Sequence, residues 1–104
     1  MQDVFRRVLD QKNQVSSLAT QLQSRQQEVE SINKDQVRLR ENMKALKGSA
    51  EEKALLQRYT RQLDSQEDRL NRLTNEISDL QEKHTQAEGQ LDRMVKEITL
   101  DEHF

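Results

Sequence analysis

The sequence predicts an all-α fold, a long antiparallel two-helix coiled-coil hairpin, and three observations carry that prediction. Positions 1, 4, 8, 11 and onward to 46 are spaced alternately by three and four residues, and most of them are apolar. A second ladder of the same spacing runs from Leu56 to Ile98. Between the ladders stand Gly48 and Ser49, a helix-stop and a helix-start signal.

The first helix is expected over residues 1–47. Met1, Val4, Val8, Val15, Leu18, Leu22, Val29, Ile32, Leu39, Met43 and Leu46 form its stripe. That period is the seam of a left-handed coiled coil. The turn is expected at residues 48–49. Gly48 suits the left-handed conformation after a helix, and Lys44 and Lys47 suit the negative end of the helix dipole. Ser49 with Glu52 three residues on reads as a capping box. The second helix is expected over residues 50–101, followed by a tail at 102–104. Of the 27 ladder positions, 22 are apolar or tyrosine, too complete a match for a disordered chain.

Phase, together with the turn signals, argues against one continuous helix. Met43 to Leu56 is 13 residues, one short of two heptads, whereas coiled coils absorb insertions of three or four. A short connection makes the helices antiparallel neighbours. Facing residues should then have numbers adding to about 95–100, as in Leu39 with Leu56, Ile32 with Leu63, Leu22 with Leu73 and Leu18 with Ile77. The same register sets Gln11 opposite His84, Glu28 near Arg69, Lys12 near Glu88 and Phe5 near Val95. Arms of about 50 residues correspond to a length on the order of 70 Å. So narrow a seam buries little for the chain it orders, which predicts dimerisation into a four-helix assembly or support from a parent protein.

Composition limits the function classes. Charged residues make up 35% of the 104, aromatics 3%, and proline and cysteine are absent. Disulfides, thiolate metal sites and cysteine nucleophiles are thereby excluded. No run approaches a membrane span, and no leader pattern is visible, so a soluble protein is expected. Serines, carboxylates and histidines do not converge and no glycine-rich phosphate loop occurs, so the chain is read as non-enzymatic, without cofactor or metal.

Five groups of residues are candidates for special roles. Gln11, Arg25, Gln36, Gln66 and His84 interrupt the ladders. Single polar seam residues select register and strand number, and Arg25 is expected to reach a carboxylate such as Glu67. His84 and Glu88 have the i, i+4 spacing of metal ligands but no third partner in the sequence. Gly48, Ser49 and Glu52 form the turn. Around it, residues 38–61 carry a net charge of +4, with Arg40, Lys44, Lys47 and Lys53 as a basic tip. That tip could bind an acidic partner or nucleic acid, and it is the alternative function. Finally Phe5, Leu9, Val95, Leu100 and Phe104 are apolar outside the ladders and broaden the stripe where the two termini meet. They predict a protein partner or a homodimer.

The stretch from Gln36 to about Ile98 adds a resemblance. It contains RLREN before the turn, SAEEKALLQRY after it and QLDSQEDRL further on. In these features it resembles the C-terminal helical region of the mucoidy inhibitor A-like family of bacterial proteins of unknown function. The resemblance implies a bacterial source and a segment of a longer protein with a β-rich body elsewhere. It brings no catalytic residues.

Overall fold

A computed structural model describes residues 2–102, with the side chains of 2–100. The chain is an all-α helical hairpin of two helices, α1 (Gln2–Lys44) and α2 (Ala50–Glu102). Neither helix contains proline, and Gly89 is the one glycine within them, so nothing in either sequence interrupts the backbone ladder. Thr20, Thr60, Thr74 and Thr99 return their hydroxyls to the carbonyls four residues back, at 2.9–3.1 Å, which satisfies them without disturbing the helix.

The first helix ends at Lys44, three residues short of the expected 47. Its last turn tightens, with Ala45 N–H donating to Asn42 O at 3.3 Å and Leu46 N–H to Met43 O at 3.2 Å. The reason lies across the turn. Glu52 Oε2 accepts the Lys47 backbone N–H at 2.6 Å, an N–H that continued helix would have needed internally. Gly48 then takes φ +94°, and α2 begins. Ser49 Oγ accepts from Glu52 N–H at 3.1 Å, while Glu52 Oε1 accepts from Ser49 N–H at 3.2 Å. Glu51 and Glu52 also place negative charge at the positive end of the α2 dipole. The second helix runs to Glu102, one residue beyond the expected 101.

Packing divides the chain into two compact units. One, the terminal unit, is Met1–Ser24 with Ile77–Phe104; the other, the turn unit, is Arg25–Glu76. Each pairs a stretch of α1 with a stretch of α2. In the terminal unit Leu18, Leu80 and Ala87 form a buried cluster, with Val15 and Leu22 packed against it. In the turn unit Leu39 and Leu73 are fully buried. Every described ladder position except Val4 and Leu56 is buried or half-buried. Leu56 is 38% exposed, so it does not cover Leu39 as the sequence suggested. Asp35 bonded to Gln66 and Gln36 bonded to Glu67 fix the register here, bringing Leu63 rather than Leu56 level with Leu39.

Candidate interaction site

Within the turn unit the residues that interrupt the ladders form a polar network across the two helices. Arg25 Nε donates to Glu76 Oε2 at 3.2 Å. Arg69 donates through Nε to Glu28 at 2.5 Å and through Nη2 at 2.9 Å, and its Nη1 lies 3.6 Å from Glu76. Four alternating charges therefore run Arg25, Glu76, Arg69, Glu28. Alongside them, Gln36, only 5% exposed, donates to Glu67 Oε1 at 2.9 Å. Gln66 donates to Asp35 Oδ2 at 2.6 Å, and Asp35 also accepts from Arg38 at 2.9 Å. Gln66 Oε1 is buried without a hydrogen-bond partner.

The expected Arg25–Glu67 pair does not form. Glu67 lies nine residues before Glu76, about 13 Å along α2, and it is occupied by Gln36. The partners that sequence reasoning missed, Asp35 and Glu76, had a visible signal. Glu28 and Asp35 are seven apart, as are Arg69 and Glu76, so each pair recurs on one flank of its helix.

Charge in this network is held by its partners. The Arg69 hydrogen bond keeps Glu28 below the usual carboxylate range, and the Glu28 carboxylate raises Arg69 in return. Arg38, then Gln66, lowers Asp35 by hydrogen bonding. Glu52 is lowered by the backbone N–H of Lys47, with Ser49 contributing next. These groups all retain contact with water, so each pair is screened and contributes chiefly orientation.

In the terminal unit Gln11 and His84 do not share a layer. Gln11 Nε2 donates to the Ala87 carbonyl at 2.9 Å, a contact open to it because the Ala87 side chain is small enough to expose the backbone. His84 Nδ1 faces Glu88 Oε1 of its own helix at 2.9 Å. Among the described residues no group of three histidine, cysteine or acidic side chains converges on a metal position.

The basic tip is partly neutralised. Lys44 pairs with Glu41 at 3.2 Å and Arg38 with Asp35 at 2.9 Å. Arg40, Lys47 and Lys53 are exposed and form no ion pair among the described residues. Of the nearby acids, Glu52 is engaged by two backbone N–H groups.

The apolar candidates stand out to solvent. Phe5 is 76% exposed, Leu9 50%, Val95 46% and Leu100 59%, while Phe104 lies outside the described residues. Val37, in the turn unit, is 59% exposed and was not singled out from the sequence, where it is an isolated apolar residue beside Gln36. Among the described residues no helix is long and apolar enough to cross a membrane. Neither a family model, nor a curated protein, nor a solved structure matches the chain.

Proposed function

We propose that this chain is a non-enzymatic interaction arm, an antiparallel coiled-coil hairpin built on heptad ladders that presents the apolar residues of its terminal unit to a protein partner or to a second copy of itself. The exposure of Phe5, with Leu9 and Val95, carries this reading. In so charged a chain, large apolar side chains left in water mark a contact surface. The titratable groups support it too, since those best placed to do chemistry are engaged with each other or with backbone in the turn. The resemblance of residues 36–98 to mucoidy inhibitor A-like proteins supports a bacterial source and a larger parent. The coding sequence around this segment tests that part, and a neighbouring sequence with no β-rich region would remove it.

The test of the arm itself is site-specific photo-crosslinking in the native cell, with the crosslinker at Phe5 in one variant and at Lys53 in another. Protein adducts at position 5 and not at 53 are the expected result. Adducts at neither position would overturn the reading. A second reading rests on Arg40, Lys47 and Lys53, which form no ion pair among the described residues: the turn binds an acidic protein segment or nucleic acid. Salt-sensitive binding of duplex DNA or polyglutamate, abolished by Lys44→Glu, Lys47→Glu and Lys53→Glu together, would favour it over the first.

A further inference from the structure

The two flanks of the terminal unit differ in kind. On α1, positions 5, 9, 12, 16 and 19 are spaced by four and three, so they form one stripe beside the buried ladder. They read Phe5, Leu9, Lys12, Ser16 and Ala19. On α2 the corresponding stripe holds Thr85, Glu88, Asp92 and Val95. These stripes share a side of the hairpin. The opposite side is fixed by one groove lined by Gln14 with Lys83, Gln86, Gln90 and Arg93, and by another that brings Arg7 together with Glu97. One flank thus carries Arg7, Lys83 and Arg93 with Glu97 and glutamines, and the other carries the exposed apolar residues beside Lys12, Glu88 and Asp92.

Levels along this unit follow from its contacts. Gln11 bonds to Ala87, and Val8 shares a groove with Met94, so Phe5 is level with Val95 and Lys12 with Glu88. Lys12 forms no ion pair within its own chain among the described residues, and Glu88 engages His84 alone. A second copy placed face to face on this flank has two symmetric arrangements. With the two-fold axis across the helices, α1 faces α1 and Lys12 meets Lys12. With the axis along the helices, α1 of each copy faces α2 of the other. Phe5 then meets Val95, and Lys12 meets Glu88, twice. Charge selects the second arrangement. The turn unit is a poorer match for this flank, because Arg40, Lys44 and Lys53 occupy its corresponding positions. The α1 stripe from Phe5 to Ala19 extends about 21 Å along a hairpin face about 20 Å across, roughly 400 Å² per copy, the size of a weak interface.

We propose that the terminal unit self-associates as a parallel two-fold dimer through the flank of Phe5, Leu9 and Val95, with Lys12 of each copy against Glu88 of the other. The proposal rests on the interaction-arm reading and names its partner. Sedimentation should show a dimer that Phe5→Glu converts to monomer with helix content retained. Lys12→Glu or Glu88→Lys alone should weaken dimerisation about tenfold or more, and the double variant should recover it, since two facing pairs change together. The chain has no cysteine, so Phe5→Cys and Val95→Cys chains can be mixed and oxidised. A mixed Phe5→Cys/Val95→Cys disulfide forming faster than either like pair is the expected product. A monomer at about 100 µM, or like pairs crosslinking faster than the mixed pair, would overturn the proposal. Photo-adducts of another protein at position 5 of a monomeric chain would overturn the dimer and leave the arm reading standing.

Discussion

The turn unit and the terminal unit pair the same two helices by different means. In the turn unit polar cross-helix contacts flank the apolar ladder, with Arg25, Glu28, Arg69 and Glu76 alternating in charge beside the Gln36–Glu67 and Asp35–Gln66 bonds. Its two fully buried leucines, Leu39 and Leu73, lie among these. In the terminal unit one cross-helix hydrogen bond, Gln11 to the Ala87 carbonyl, accompanies an apolar cluster and a set of exposed apolar side chains. Directional bonds define which residues face each other, because each has one geometry that satisfies it. Apolar contact tolerates sliding. The turn unit therefore specifies register within itself, while the terminal unit leaves Phe5, Leu9, Val95 and Leu100 exposed.

That contrast can be broken by mutation, beginning with the cores. Leu39→Ala should cost about 3 kcal/mol in thermal or urea unfolding, and Leu18→Ala, at a site 9% exposed, about 2 kcal/mol. Equal losses would remove the distinction in packing. At the turn, Gly48→Ala should cost about 1–2 kcal/mol, since φ +94° is strained for any side chain even though open space surrounds the position. Ser49→Ala should cost about 1 kcal/mol by orphaning the Glu52 N–H, read in the same unfolding curves. In the terminal unit the sign reverses. Gly89→Ala should stabilise by about 0.5–1 kcal/mol, because an added Cβ meets only the Arg93 guanidinium at 3.9 Å.

The smallest effects per residue are electrostatic and belong to the turn unit. Glu28, Asp35 and Glu52 are each held below the usual carboxylate range in the folded chain. The unfolded chain binds protons more readily at these groups, so their contribution is present at neutral pH and is lost as pH falls through the lowered values. Amide exchange at acid pH should accelerate first around residues 25–76. Acceleration confined to the terminal unit would contradict the assignment of the network.

Much of this was legible residue by residue. The ladders identified the fully buried positions among the described residues and most of the half-buried ones, because a side chain facing a partner helix must recur at a period near three and a half. Gly48, Ser49 and Glu52 identified the turn, since their signals are local backbone chemistry. Glu28 with Arg69 also followed from the antiparallel register. Arg25 choosing Glu76, Gln11 reaching a carbonyl and Leu56 remaining exposed did not. Those outcomes depend on shifts of a few residues in register, which the ladders alone leave undetermined.

By itself, then, the sequence determined two helices, one reversal between them and the positions that face inward, all consequences of spacing and of local hydrogen bonding. The tertiary structure alone decided which polar groups satisfy one another and which remain free. Hydrogen bonds of about 3 Å discriminate between neighbours one turn apart, about 5 Å, and only packed helices fix a position that finely. It also drew the unequal division of polar pairing and apolar exposure between the turn and terminal units, because exposure depends on what the opposing helix covers.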